Sequence, residues 1–172
     1  FFFSISMNVS RKFPQSRLRR TRFTASIRSL VAENSLSVDD LIQPIFVKED
    51  LDGIESIDSL PGVNRHGLNA LDEEIEKIQI NKIKAVAVFP VINPNKKDDQ
   101  GSESLNEENL VCTAIKQIKE NSELAVIADV ALDPYTSHGH DGVLDENGYV
   151  ENDKSLSLLI KQALTLAKAG AD

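Results

Sequence analysis

The chain of 172 residues contains one cysteine and no tryptophan, and aromatic residues make up only 5% of it. The single cysteine excludes an internal disulfide framework and a zinc site built from several thiolates within this chain. A reducing compartment is therefore expected. No apolar run approaches the roughly 20 residues that a membrane helix needs, so we expect no membrane partner. The 41% of hydrophobic residues are enough for one globular domain with a core.

Acidic residues are missing from the start of the chain. Residues 1–32 hold seven of the 19 basic side chains and none of the 27 acidic ones, which leaves a balance of −15 on the remainder. That remainder should repel nucleic acid, so no nucleic-acid partner is expected, and only the basic segment could attract a polyanion. An Arg-rich segment without acidic residues is also typical of an organellar transit peptide. Residues 1–6 precede the first methionine and are a candidate non-native segment.

Units of strand and helix alternate along the chain. Strands are predicted from Ile42 to Val47, Lys84 to Phe89 and Leu124 to Val130, and helices from Ala25 to Glu33, Asn69 to Ile80, Asn106 to Glu120 and Asp153 to Ala169. The last helix is expected to end at Gly170, and it carries a set of apolar residues: Leu156, Leu159, Ile160, Ala163, Leu164 and Ala167. A loop around Pro61-Gly62 separates the first strand from the next helix. Repeated βα units predict a parallel sheet, and a strand as apolar as Ala85 to Phe89 is typical of one covered on both faces.

Two architectures contain such units, the doubly wound sheet and the eight-stranded barrel. No Gly-rich turn follows the first strand, which counts against a nucleotide-binding doubly wound sheet. We therefore predict an α/β fold in which residues 35–172 are the first half of a (β/α)8 TIM barrel. This half would be cut off at a fourth strand that opens at Ala171-Asp172. An extended N-terminal arm with one helix, residues 1–34, precedes it.

The densest group of chemically active side chains follows the third predicted strand. Asp129, Asp133 and Asp141 occur within 13 residues, together with His138 and His140. Active sites of parallel α/β folds lie at the carboxyl ends of the strands. Carboxylates brought together by this loop would form a hard, oxygen-rich cation site. The alternative is structural, because aspartate and histidine also cap turns and satisfy backbone groups in loops.

The segment Asp129-Val-Ala-Leu-Asp-Pro-Tyr-Thr-Ser-His-Gly-His-Asp-Gly142 resembles the metal-site signature of the porphobilinogen synthases, or 5-aminolevulinate dehydratases. The resemblance runs from about Phe13 to Asp172. Other segments that carry it, in order, are Arg17-Leu-Arg-Arg-Thr-Arg22, Leu41-Ile-Gln-Pro-Ile-Phe-Val47, Ser59-Leu-Pro-Gly-Val63 with Arg65, Phe89-Pro90, Gly142-Val-Leu-Asp145 with Gly148-Tyr-Val150, and Ala169-Gly-Ala-Asp172. Zinc-dependent members have cysteines at the positions of Ala131, Asp133 and Asp141. The chain is thus similar to the aspartate-rich, magnesium-responsive branch.

The resemblance implies a lyase that condenses two molecules of 5-aminolevulinate into porphobilinogen with loss of two waters, an early step of tetrapyrrole and haem biosynthesis. It implies that Asp129 is a catalytic aspartate that orients a substrate amine and assists proton transfer, and that Asp133 and Asp141 are metal ligands. Mg²⁺ is the expected cofactor, and no organic cofactor is expected. The resemblance also implies a separate allosteric magnesium site, whose ligands would lie beyond Asp172.

The two lysines that form Schiff bases with the substrate in this family also match positions beyond Asp172, so this chain alone is expected to be inactive. The lysines that are present match neither of them and are expected to be solvated: Lys48, Lys84, Lys96, Lys97 and Lys154.

The resemblance further implies a homo-oligomer, an octamer in which the arm wraps a neighbouring barrel. Attraction between the basic arm and the acidic body favours this interpretation over polyanion binding or targeting. The expected location is a bacterial-type cytoplasm, with a plastid as the alternative. Two other functions remain open. The chain could be a non-catalytic half-barrel that acts as an assembly or interaction module, or a different Schiff-base aldolase-like barrel, although the segment 129–142 is hard to reconcile with the second.

Overall fold

The computed structural model describes residues 12–14 and 17–172. The chain divides between Leu36 and Ser37 into two compact units. In the first unit, a 3-10 turn at Arg20–Arg22 precedes helix α1, Ala25–Leu30, which ends three residues earlier than predicted. Thr24 caps α1, since its Oγ1 accepts a hydrogen bond from Ile27 N–H at 3.2 Å. Nearly all described residues of this unit are exposed, so they form no core among themselves.

The second unit is a five-stranded sheet with helices. Its strands are β1 Ile42–Lys48, β2 Ile54–Ser56, β3 Asn64–His66, β4 Ala85–Val91 and β5 Ala125–Ala128, and its helices are α2 Leu71–Ile80, α3 Leu110–Asn121 and α4 Asn152–Ala169. The strand order is β2-β3-β1-β4-β5. Strands β1, β4 and β5 are parallel neighbours, which confirms the predicted parallel sheet. The hairpin β2–β3, expected as a loop, adds two short strands beside the end of β1.

The two faces of the sheet differ in their cover. The residues that point to one face are fully buried, and they are Ile45, Val47, Val86, Val88 and Val126. Apolar residues of α2 and α3 complete this core, among them Leu71, Ile75, Ile115 and Ile118. On the other face Ile127 is 44% exposed. The expectation of a sheet covered on both faces is therefore wrong for the described residues, because small or half-buried side chains alternate with the valines.

Helix α4 exposes part of its apolar pattern. Leu156, Ile160 and Leu164 are 53%, 55% and 60% exposed. Its buried side combines the polar residues Ser155, Gln162 and Thr165 with the apolar residues Leu166 and Ala169. The physical reason is that Ser155 and Gln162 hydrogen-bond to the backbone of the loop after β5. Gly170 ends the helix as predicted, with φ +112°. None of the described helices is long and apolar enough to cross a membrane.

His66 on β3 makes the stability of the fold depend on pH. Its side chain is 4% exposed, and its Nδ1 has no hydrogen-bond partner within the described residues. Burial lowers the pKa of His66 below 6.5, and Lys77 lowers it further, whereas Glu73 and Glu74 oppose the shift. The unfolded chain therefore binds this proton more tightly than the folded one. The contribution of the neutral His66 to stability is therefore fully present above pH 6.5. It is lost as the pH falls through 6.5 towards the folded-state pKa of His66.

We expect the free energy of unfolding to fall between pH 7.5 and pH 5.5, with a contribution from His66 of at most about 1.4 kcal/mol per pH unit. His66→Gln should flatten this dependence. Urea denaturation at the two pH values measures it, with His140→Gln, which removes an exposed imidazole, as the matched control. An equal flattening in both variants would contradict the assignment to His66.

Candidate active site

The loops that follow β1, β4 and β5 meet at one edge of the sheet, because the three strands are parallel. Glu49, just after β1, accepts a hydrogen bond from Asn93 N–H of the loop after β4 at 3.0 Å. In turn, Asp98 of that loop donates its N–H to the Tyr135 carbonyl at 3.3 Å, and its carbonyl accepts from Ser137 N–H at 3.0 Å. These backbone bonds fix the loop after β4 against the aspartate-rich loop after β5.

Asp129 follows β5, one residue after its last paired position. That position is Ala128, whose partner on β4 is Val88. The next residue of β4, Phe89, is opposite Phe46 on β1, and the two rings stack with centroids 5.6 Å apart. Asp129 itself is exposed. In sequence register it comes next to the row that Phe46 and Phe89 form across β1 and β4. A carboxylate at this place can reach a ligand that lies on the open face of the sheet.

The aspartate-rich loop folds back on itself. Asp141 Oδ1 accepts a hydrogen bond from Leu132 N–H at 2.6 Å, which brings Asp141 towards Asp133. Asp133 reaches solvent on one side, and partial burial on the other raises its pKa. The charges of Asp141 and, to a lesser extent, Asp129 raise the pKa of Asp133 further, whereas Lys97 lowers it. Asp141 and Asp129 therefore both lie within electrostatic range of Asp133.

This arrangement favours a cation but offers few ligands for it. Among the described residues, no three His, Cys, Asp or Glu side chains are close enough to surround a metal ion. One oxygen of Asp141 is already bound to Leu132 N–H, which leaves its other oxygen and the Asp133 carboxylate. Mg²⁺ commonly binds proteins through one or two carboxylates and keeps several waters. The donors present fit that mode of binding, and they do not fit a closed, all-protein metal cage.

The two loop histidines do not join the aspartates. His138 Nδ1 accepts a hydrogen bond from His140 N–H at 3.1 Å, so the proton of the neutral ring is on Nε2, which lies 3.3 Å from the Asp99 carbonyl. Thr136 Oγ1 donates to the His140 carbonyl at 2.8 Å. The contacts of His138 are with the backbone, and they hold the loop in shape.

Two of the lysines expected to be solvated form ion pairs with half-buried carboxylates. Lys48 and Arg65 both bind Glu55, at 2.5 and 2.7 Å, and the bond from Lys48 is the main cause of the lowered pKa of Glu55. Lys96 bridges two mostly buried carboxylates, Glu49 and, at 3.5 Å, Glu103. Lys96 is nevertheless exposed, as expected, whereas Lys48 is half-buried. Nothing in the spacing of these charges indicated that the loops would bring them together.

The positions of Ser155 and Gln162 carried a signal that was missed. These two polar residues lie seven apart in a helix that is otherwise rich in leucine and alanine. Residues at this spacing share one face of a helix. A polar pair on one face of such a helix indicates a buried hydrogen-bonding role, and both side chains bind the aspartate-rich loop.

Comparisons with known proteins agree along nearly the whole chain. A family model described as delta-aminolevulinic acid dehydratase matches residues 15–172. A curated delta-aminolevulinic acid dehydratase of Methanothermus sociabilis is 44% identical over 161 residues, which are 94% of this chain and 49% of the relative. One of Chlamydia pneumoniae is 47% identical over 157 residues, which are 91% of this chain and 47% of the relative.

A solved structure is similar as well. It is the crystal structure of delta-aminolevulinic acid dehydratase (porphobilinogen synthase) from Toxoplasma gondii ME49 in complex with the reaction product porphobilinogen. The TM-score is 0.86 at 42% sequence identity, over 92% of this chain and 45% of that chain. The chain spans about half the length of the curated relatives it matches. The matched region contains the parallel strands and all three aspartates, and the chain belongs to the delta-aminolevulinic acid dehydratase family.

Proposed function

We propose that this chain is the amino-terminal half of a porphobilinogen synthase, which condenses two 5-aminolevulinate molecules to porphobilinogen with loss of two waters. The observation that carries the proposal is the gathering of Asp129, Asp133 and Asp141 at the carboxyl edge of a parallel sheet. Family membership supports it, since the relatives at 44% and 47% identity are named for this activity. The alternative of a non-catalytic assembly module has no comparable support.

The sheet also supports the first half of a TIM barrel. Asp172 N–H donates to the Val126 carbonyl at 2.9 Å, and Asp172 Oδ2 accepts from Val126 N–H at 2.8 Å. The chain thus enters the sheet beside β5, on the side away from β4, where the next strand of a barrel belongs. Lys119 holds the Asp172 carboxylate at 3.0 Å, and the hydrogen bond from Val126 is the main cause of its lowered pKa.

In the proposed reaction, Asp129 orients the amine of a substrate and moves a proton. It comes one residue after β5, at the edge where parallel folds bind their substrates. A carboxylate accepts hydrogen bonds from an ammonium group and can then take up its proton.

Asp133 and Asp141 are the proposed ligands of Mg²⁺. Burial is the main cause of the raised pKa of Asp133, and the charge of Asp141 adds to it. A cation that binds between the two carboxylates would relieve that repulsion. A bound divalent ion would polarise a carbonyl or hydroxyl oxygen of the second substrate. The loop positions the two carboxylates for that ion through the bond between Asp141 and Leu132 N–H.

We expect Mg²⁺ to stabilise this chain and Asp133→Asn to abolish the effect. At ten times its dissociation constant, a ligand of the folded state adds about 1.4 kcal/mol to the free energy of unfolding. Without Mg²⁺, Asp133→Asn should itself stabilise the chain by a few tenths of a kcal/mol, because one repelling charge is removed at a largely exposed position. Thermal denaturation with and without Mg²⁺ measures both effects.

Asp153→Asn, which removes an exposed carboxylate at the start of α4, is the matched control for that experiment. It should leave the stabilisation by Mg²⁺ intact. Equal stabilisation of the parent chain and of Asp133→Asn would exclude Asp133 as a ligand.

The basic arm and the acidic body lead us to propose a homo-oligomer, an octamer in the complete enzyme, whose arm contacts a neighbouring subunit. The arm is exposed among the described residues and carries Phe23 and Leu30 on its surface. A bacterial-type cytoplasm is the proposed location, since relatives include the Chlamydia protein. Deletion through Arg28 in the complete enzyme should reduce the assembly size in analytical ultracentrifugation, and an unchanged octamer would refute this role.

The activity itself is tested in the complete protein. The reading frame should continue past Asp172 and supply two lysines that form Schiff bases with the substrate. That protein should convert 5-aminolevulinate to porphobilinogen, and the 172-residue chain alone should not. Failure of the complete protein to form porphobilinogen, both with and without Mg²⁺, would overturn the proposed function.

A further inference from the structure

Helix α4 buries polar side chains while it exposes apolar ones. Ser155 and Gln162 are 5% and 1% exposed, whereas Leu156, Ile160 and Leu164 lie on the surface among the described residues. Burying a polar group is unfavourable unless it forms hydrogen bonds. The orientation of the helix therefore depends on what these two polar side chains contact.

Both side chains contact the backbone at the ends of the aspartate-rich loop. Gln162 Nε2 donates to the Ala131 carbonyl at 2.8 Å, between Asp129 and Asp133 in the sequence. Ser155 Oγ accepts from Val143 N–H at 2.9 Å, two residues after Asp141, and donates to the Glu151 carbonyl at 2.7 Å. One rigid helix thus holds the loop before and after its metal-ligand candidates.

The contact of Gln162 acts on a single peptide group. The Ala131 carbonyl, which accepts from Gln162, and the Leu132 N–H, which donates to Asp141, belong to the same planar unit. A carbonyl oxygen can only accept, so the amide nitrogen of Gln162 has to face it. The Gln162 Oε1 atom has no hydrogen-bond partner within the described residues. The bond from Gln162 Nε2 to the Ala131 carbonyl is therefore the polar contact that compensates for the burial of this side chain.

We propose that Gln162 is a positioning residue that fixes the orientation of the Ala131–Leu132 peptide and thereby holds the Asp141 carboxylate beside Asp133. The inference rests on the proposed role of the aspartates for its functional meaning. Without the amide of Gln162, the peptide is free to rotate about its neighbouring bonds. The Leu132 N–H then leaves Asp141, and the carboxylate loses its fixed place in the loop.

Hydrogen exchange of the Leu132 amide tests this in the 172-residue chain. Gln162→Met keeps an unbranched side chain of similar length but removes the donor. We expect exchange at Leu132 to become about tenfold faster relative to the amides of Val88 and Ile115 in the core. Thr165→Val is the matched control, because it removes a hydroxyl from a buried residue of the same helix whose carbonyl accepts a hydrogen bond from Cys112 of α3. In the control, the ratio of Leu132 to core exchange should not change.

If Gln162→Met does not fold, Gln162→Asn is the variant to use, since it moves the amide one methylene away from Ala131. It should accelerate hydrogen exchange of the Leu132 amide by a similar factor. Exchange that rises equally at Leu132 and in the core would overturn the proposal and leave Gln162 with a purely structural role. Porphobilinogen formation does not enter this measurement, so an error in the proposed function would leave its outcome unchanged.

A second readout separates positioning from stability. Asp141→Ala alters an exposed side chain and should by itself accelerate exchange at Leu132. Suppose that Gln162 and Asp141 act on the same peptide. The variant that carries both substitutions should then accelerate exchange at Leu132 by a factor smaller than the product of the factors for the two single variants. Full multiplication of the two effects would contradict a shared peptide.

Discussion

Asp129→Asn in the complete enzyme should lower kcat by about 10²- to 10⁴-fold and change KM much less, because the variant loses proton transfer and keeps the shape of the site. Asparagine has nearly the size of aspartate and can still accept a hydrogen bond from a substrate amine. It cannot take up a proton, and it lacks the charge that attracts an ammonium group. The place of Asp129 one residue after β5, at the edge where parallel folds bind their substrates, supports a direct contact with substrate.

The matched control for this prediction is Asp145→Asn. Asp145 lies outside the aspartate cluster, and its Oδ1 accepts from the N–H groups of Asn147 and Tyr149 at 2.8 and 2.9 Å. Asparagine can retain both bonds, so this variant removes one carboxylate charge and leaves the turn in place. Its kcat should remain close to that of the parent enzyme. A kcat of Asp129→Asn within twofold of the parent would exclude a catalytic role for this aspartate.

The long elements of the fold were predictable because each has a hydrophobic pattern of its own. Strands β1, β4 and β5 contain runs of apolar residues, and α2 places Leu71, Ile75 and Ile78 on one face. The hairpin β2–β3 was not predictable in this way, since its strands have three residues each. Such strands are too short for a period of two to be visible, and their pairing depends on the edge that β1 provides.

The sequence indicated the residues of a candidate site, which stay a prediction, but it did not indicate the contacts that hold them. Aspartates close together after a buried strand indicate a site, since the topology of a parallel sheet fixes where that strand ends. The polar contacts of α4 could not be predicted, because hydrophobic periodicity indicates an apolar face and says nothing of buried polar residues. Ser155 and Gln162 hydrogen-bond to a distant loop, and sequence spacing does not reveal the partner of a polar side chain.

Ile115→Ala should destabilise the chain by about 2–5 kcal/mol, which is the typical loss for a large aliphatic residue removed from a core. Ile115 is fully buried in α3, a helix that contacts β1, β4 and β5 as well as α2 and α4. Elements on all sides keep the surrounding atoms in place, so the cavity cannot close easily. Domains are commonly stable by only about 5–15 kcal/mol, and a loss of this size is a large share of the total.

Urea denaturation followed by circular dichroism measures this loss, with two variants for comparison. Ile115→Val removes one methylene and should cost about 0.5–1.5 kcal/mol, whereas Ile80→Ala, at a residue 78% exposed, should stay within about 0.5 kcal/mol. In the complete enzyme, kcat should not change below the unfolding transition, because Ile115 faces the covered side of the sheet and Asp129 lies at its carboxyl edge. Equal losses for Ile115→Ala and Ile80→Ala would mean that α3 does not form the centre of the core.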